Sequence, residues 1–150
     1  MANQQERCVI LADRHHGVTE GVRGLLETTF DTVVMVADEH SLFEIANRLH
    51  PTLAVVDLSL ARKDSLRWLR QLRESCPALK ILALSVYDEP SVRLAALESG
   101  ADGLVLKRNI ATELLPAIDA LLAKTSHPPK ARGSIKSAQE TETPMQRGAR

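Results

Sequence analysis

Five charged or hydroxyl side chains each follow a short apolar run of the sequence, where an open α/β sheet places its chemistry. They are Asp13, Arg14, Asp57, Ser85 and Lys107. Asp57 is a candidate nucleophile, and carboxylate oxygens can hold a hard divalent cation. Lys107 and the hydroxyl of Ser85 can neutralise phosphoryl oxygens. Singly, each residue could be a cap or an exposed side chain, but together they predict a phosphoryl-transfer site.

The apolar runs and the segments between them indicate which elements position these side chains. Continuous hydrophobicity with many β-branched residues is typical of strands covered on both faces of a parallel sheet. Apolar residues at helical spacing follow each run, and every connection is short. This pattern predicts an α/β fold of the (βα)₅ type, a doubly wound five-stranded parallel sheet with helices on both faces. The predicted strands are Cys8–Ala12, Thr32–Ala37, Thr52–Val56, Lys80–Leu84 and Gly103–Leu106.

Three details of the helices are also predicted. Arg67, Arg70 and Arg73 are expected on the solvent side of the third helix. Gly100 is expected to end the fourth helix. Pro116 is expected near the first turn of the last helix, where its missing N–H does little harm.

Composition and charge limit the class of protein. The chain has a formal net charge of zero, 44% apolar residues and 25% charged residues, so no whole-chain field attracts nucleic acid or a membrane. We expect one domain over residues 1–126. Residues 127–150 are expected to be a disordered basic tail without an output domain, carrying five basic and two acidic side chains. Neither a signal peptide nor a membrane span is predicted, and Cys8 and Cys76 indicate reduced thiols in a cytoplasmic protein.

Four motifs resemble one known family in their order and spacing. They are LADRHH, PTLAVVDLSL, ILALSVYDEPSV and ESGADGLVLK. The chain from Arg7 to about Lys124 resembles the receiver domain of two-component response regulators, especially of the nitrate-regulator (NarL/FixJ-like) type. The resemblance implies a flavodoxin-like sheet with strand order 2-1-3-4-5. It also implies a phosphoryl group taken from a sensor histidine kinase or a phosphotransfer protein, and no enzyme beyond self-catalysed aspartyl phosphorylation and dephosphorylation.

The resemblance assigns roles to matching positions. Asp57 matches the phospho-accepting aspartate, Ser85 the switch hydroxyl, and Lys107 the lysine that contacts the phosphoryl group. Asp13, Asp57 and the backbone carbonyl of Ser59 match the residues that hold Mg²⁺.

The sequence departs from the family pattern at three places. Arg14 replaces the second acid of the metal-binding pair, so we expect weakened Mg²⁺ binding. The loop over residues 60–65 lacks the family's usual Met-Pro-Gly turn residues. Leu104 stands where the family has an aromatic switch residue, and Tyr87 is not at that position.

Two functions stay open. Either the chain is a phosphorylatable single-domain receiver that signals through its last two helices to an unknown protein or as a homodimer. Or it is a phosphorylation-independent interaction module in which Arg14 pairs with Asp57 or Asp13 and stands in for the metal. No helix-turn-helix pattern is present, which disfavours direct specific DNA binding. His15 and His16 could offer imidazole to a softer metal such as Zn²⁺, but an ordinary loop role is favoured.

Overall fold

The structure, a computed structural model, describes residues 7–61 and 65–125. The tail predicted over residues 127–150 lies outside these residues. Strands and helices alternate along the chain, and a 3₁₀ turn, Lys107–Asn109, precedes the last helix. The strands are β1 Cys8–Ala12, β2 Thr32–Val36, β3 Leu53–Asp57, β4 Lys80–Ser85 and β5 Gly103–Leu106; the helices are α1 His16–Leu26, α2 Glu39–Leu49, α3 Arg67–Ser75, α4 Pro90–Glu98 and α5 Ile110–Thr125.

The five strands form one parallel sheet in the order β2-β1-β3-β4-β5. This confirms both the predicted fold class and the predicted strand order. Two strands run one residue further than the apolar pattern suggests, since Asp57 pairs with Leu84 and Ser85 with Leu106. The polar residues thus terminate the ladder itself, which fixes their backbone positions.

Side chains that alternate along the strands divide the core into two halves. Val9 and Leu11 of β1 pack with residues of α1 and α5. Ile10 and Ala12 pack on the other face, with residues of α2, α3 and α4. Every residue of β3 is buried, as expected for the middle strand of a sheet covered on both sides.

Arg73 contradicts its predicted solvent position. Its guanidinium donates to the carbonyls of Gly100 at 2.9 Å and Leu79 at 2.7 Å, and pairs with Asp102 at 2.7 Å. Gly100 has a φ of +121°, and a Cβ there would lie 2.7 Å from the Cβ of Arg73. Arg73 stands in the last turn of α3, where its fork of donors can satisfy carbonyls from two loops, a role that the helical repeat of the sequence does not predict.

Pro116 also differs from its predicted position. It is the seventh residue of α5, which begins at Ile110. The helix begins before the run of apolar residues at helical spacing that predicts it, so the predicted helix start is too late. At this position proline removes the hydrogen bond that residue 116 would donate to the carbonyl of Thr112.

Candidate functional site at the carboxyl edge of the sheet

The strand ends bring the predicted polar residues to one edge of the sheet. Asp57 and Ser85 are the last residues of β3 and β4, while Asp13 and Lys107 directly follow β1 and β5. Because the strands are parallel, all four lie at the carboxyl edge. The chain reverses its winding direction between β1 and β3, the position at which open α/β sheets bind their ligands.

Lys107 joins the two buried carboxylates. Its Nζ lies 3.0 Å from Asp13 Oδ2 and 3.2 Å from Asp57 Oδ2. The side chain of Lys107 is 10% exposed, and those of Asp13 and Asp57 are 1% and 4% exposed. Because water has little access to these buried carboxylates, the Lys107 ammonium stabilises their negative charge. Removing it would leave buried charge without its cation.

The local turn after β3 holds Asp57 in its ionised form. Burial raises the pKa of Asp57, but the hydrogen bonds from Ser59 and the charge of Lys107 outweigh burial and leave the pKa below its usual value. The backbone N–H of Ser59 donates to Asp57 Oδ1 at 3.1 Å, and its hydroxyl donates to Oδ2 at 2.8 Å. An ionised carboxylate at neutral pH is the form that can attack phosphorus.

Ser85 is buried beside the same cleft, and its hydroxyl bonds to the loop after β4. The Oγ donates to the carbonyl of Tyr87 at 3.0 Å and accepts from the N–H of Tyr87 at 2.9 Å. Tyr87 itself is 61% exposed. The Ser85 hydroxyl therefore links the site to an exposed loop.

Arg14 contacts the cleft but does not form the ion pair predicted for it. Within residues 7–61 and 65–125, no carboxylate lies within ion-pairing distance of Arg14, and its buried Nε has no hydrogen-bond partner. Lys107 instead bridges Asp13 and Asp57, because β5 brings its long side chain directly over both carboxylates. Arg14 therefore does not form the ion pair with Asp13 or Asp57 that the second of the two open functions includes.

His15 contacts the site, although the sequence favoured an ordinary loop role. Its Nδ1 lies 3.1 Å from Asp13 Oδ1 and 3.5 Å from Asp57 Oδ2. Its backbone N–H also donates to Asp13 Oδ1, at 2.8 Å. The available signal was a histidine two residues after an aspartate at a strand end, where the carboxylate can bond the backbone two residues on.

An open cleft of about 630 Å³ lies over the carboxyl edge. Its lining includes Arg14, Asp57, Ser59, Ser85 and Tyr87. The cleft is large enough to admit a side chain.

Comparison with known proteins identifies the family. The family model of the response regulator receiver domain matches residues 9–119. The chain belongs to this family. The resemblance noted from the four sequence motifs is thereby confirmed, and the domain is that of a two-component response regulator.

Relatives and solved structures agree with this receiver domain. It is 34% identical over 117 residues to the response regulator MprA of Mycobacterium leprae, covering 78% of this chain and 51% of that protein. It is 31% identical to the nitrate/nitrite response regulator protein NarL of Escherichia coli, covering 79% of this chain and 56% of that protein. A LuxR-family two-component response regulator from Aurantimonas matches with a TM-score of 0.72 and 30% identity, covering 80% of this chain and 87% of that one. The chain thus spans about half the length of MprA and NarL.

The donor set of the receiver site fits a divalent cation in part. Receiver domains generally bind Mg²⁺ through acidic residues, and the structure groups Asp13, His15 and Asp57 with ligand atoms within 4.8 Å of one another. Two carboxylates suit a hard cation. The ammonium of Lys107, which lies beside both carboxylates, adds a positive charge to this group. None of the helices in the described part of the chain is long and apolar enough to cross a membrane.

Proposed function

We propose that this receiver domain accepts a phosphoryl group on Asp57 from the phosphohistidine of a sensor histidine kinase or a phosphotransfer protein in the cytoplasm. The observation that carries the proposal is the pairing of a buried, ionised Asp57 with Lys107 at the open carboxyl edge of the sheet. Asp57 also lines the open cleft, which a carboxylate with only a structural role would not require.

The transfer is a displacement at phosphorus. A carboxylate oxygen of Asp57 forms the new O–P bond while the N–P bond of the phosphohistidine breaks, and the electron pair returns to the imidazole ring. Lys107 neutralises charge that shifts to the phosphoryl oxygens, and it already stands 3.2 Å from the nucleophile. The Ser85 hydroxyl turns from Tyr87 to a phosphoryl oxygen.

Asp13, Asp57 and the backbone carbonyl of Ser59 are the residues that would hold Mg²⁺. When bound, the cation supplies positive charge to the phosphoryl oxygens. Asp13 is buried, and the backbone N–H of His15 donates to its Oδ1, which favours a fixed ligand position. Arg14 places a positive charge where a second acid would add a negative one, so we expect weaker Mg²⁺ binding than two acids would give.

The output is contact with another protein. If the Ser85 hydroxyl leaves Tyr87, the loop between β4 and α4 loses two hydrogen bonds and can rearrange. Exposed apolar side chains lie in this loop and on α4, namely Val86, Tyr87, Leu94 and Leu97. A downstream protein or a second copy of the domain would bind through α4 and α5.

Incubation of the full chain with acetyl phosphate or a phosphoramidate, with and without Mg²⁺, tests the proposal. Intact mass spectrometry should show the gain of one phosphoryl group in the wild type and in D119N, whose aspartate is exposed on α5. D57N should show no gain. If the wild-type chain gains no phosphoryl group either with or without Mg²⁺, the proposal is wrong.

A second function is favoured by the charge balance of the site. Lys107 already contacts both carboxylates and offsets one of their two negative charges without a metal, as a phosphorylation-independent interaction module would require. Titration with Mg²⁺, followed through the backbone amide resonances around Asp57, separates the two functions. Saturable shifts at millimolar Mg²⁺ would count against the second function, and R14D should then bind Mg²⁺ more tightly.

A further inference from the structure

We propose that His15 is the third protein ligand of the divalent cation, in place of the carboxylate that position 14 lacks. The site would consequently prefer a borderline transition metal such as Zn²⁺ or Co²⁺ to Mg²⁺. This inference rests on the proposed function for the location of the cation between Asp13 and Asp57. It concerns the metal's identity and an additional ligand.

The geometry of His15 already matches that of a ligand. Its Nδ1 is 3.1 Å from Asp13 Oδ1 and 3.5 Å from Asp57 Oδ2. With metal–ligand bonds of about 2.1 Å, neighbouring ligand atoms lie about 3.0 Å apart in an octahedral site and about 3.4 Å apart in a tetrahedral one. The two observed distances are close to these ligand–ligand separations. The ligand atoms of Asp13, His15 and Asp57 all lie within 4.8 Å of one another, so a cation could contact all three after the side chains adjust.

The backbone presets this arrangement. The N–H of His15 donates to Asp13 Oδ1, which ties the histidine to the first carboxylate before any metal arrives. The imidazole is 52% exposed, so it serves no core-packing role. When the metal binds, the Nδ1 lone pair must face it, and the ring's remaining proton then resides on Nε2.

The charge at the site favours such a metal over Mg²⁺. Mg²⁺ is held by oxygen ligands and depends on negative charge, which Lys107 and Arg14 cancel here. Imidazole suits Zn²⁺ and neighbouring transition metals, whose affinity for nitrogen ligands exceeds that of Mg²⁺. A neutral histidine thus restores a third ligand without restoring the missing charge, and it changes the preferred metal.

Metal titration of the full chain after removal of metals with a chelator tests the inference. Calorimetry with Zn²⁺ and with Mg²⁺, together with the visible absorption of Co²⁺, should show Zn²⁺ binding at least tenfold more tightly than Mg²⁺. H15A should lose at least tenfold in Zn²⁺ affinity. H40A removes an exposed histidine from α2, so it should retain wild-type Zn²⁺ affinity at this site and serves as the matched control. Circular dichroism establishes that each variant is folded.

Equal Zn²⁺ affinity in H15A and H40A would overturn the inference, as would Mg²⁺ binding as tight as Zn²⁺ binding in the wild type. A fall in H16A as large as that in H15A would assign the ligand to the other histidine and would also overturn it. Phosphorylation is scored separately. Phosphorylation of Asp57 without His15-dependent metal binding contradicts this inference alone, whereas His15-dependent metal binding without phosphorylation contradicts the proposed function alone.

Discussion

Replacing Lys107 with methionine tests whether the ammonium holds the two buried carboxylates together. The substitution keeps a long side chain but leaves Asp13 and Asp57 without their shared cation. At 3.2 Å and an effective dielectric constant of 20, each attraction is about 5 kcal/mol before desolvation. Desolvation offsets much of this, and removing one partner from a buried pair costs about 3–5 kcal/mol. We expect K107M to lower the free energy of unfolding by about 3 kcal/mol at neutral pH.

The pH dependence of K107M adds a second signature. In the wild type the pKa of Asp57 lies below its usual value, so its stabilising contribution is complete at neutral pH and is lost as pH falls through that pKa. In K107M the pKa of Asp57 rises, because burial is no longer opposed by Lys107. The stability difference between the two proteins should therefore be largest at neutral pH and shrink as the carboxylates become protonated in acid.

Urea denaturation followed by circular dichroism measures both effects. R108M is the matched control, because Arg108 adjoins Lys107 but pairs with Asp88 at the surface, where the two side chains are 63% and 56% exposed. That variant should lose less than about 1 kcal/mol. If K107M costs no more than R108M at neutral pH, or if its deficit grows in acid, the electrostatic reasoning is refuted.

Two further predictions concern the contact between α3 and the segment after α4. G100A should lower the free energy of unfolding by about 2 kcal/mol, because its φ of +121° and the nearby Arg73 Cβ leave no room for a methyl group. G21A, inside α1 with open space around it, should instead stabilise by about 0.5–1 kcal/mol; equal effects in the two variants would contradict the explanation. R73K should cost about 2 kcal/mol, because lysine cannot reach the Gly100 and Leu79 carbonyls together. R70K, exposed on the same helix, should change stability by less than about 0.5 kcal/mol, and chemical denaturation compares the pair.

The sequence was sufficient to predict the sheet and the approximate site because both depend on backbone periodicity. Continuous apolar runs predicted the parallel strands, and parallel strands necessarily bring Asp13, Asp57, Ser85 and Lys107 to one edge. Strand ends were off by one residue where Asp57 and Ser85 pair in the ladder, since a polar residue in a strand gives no apolar signal.

The errors concern side-chain reach, which periodicity does not determine. Arg73 is expected in solvent, yet its long side chain reaches the carbonyls of Leu79 and Gly100, which lie in two separate loops. One of the two open functions pairs Arg14 with an aspartate, but Lys107, which follows β5 and is distant in sequence, contacts both aspartates instead. His15 faces the carboxylates because its own backbone N–H bonds Asp13, a local turn that residue types alone only suggest.

The most direct test of the central claim is chemical mapping of the phosphorylated residue. The wild-type chain is treated with phosphoramidate and Mg²⁺, and borohydride then reduces any aspartyl phosphate to homoserine, which peptide mass spectrometry locates. The account predicts homoserine at position 57 and at no other aspartate, and none in D57N. Homoserine at another position, or none anywhere in a folded wild-type chain, would contradict it.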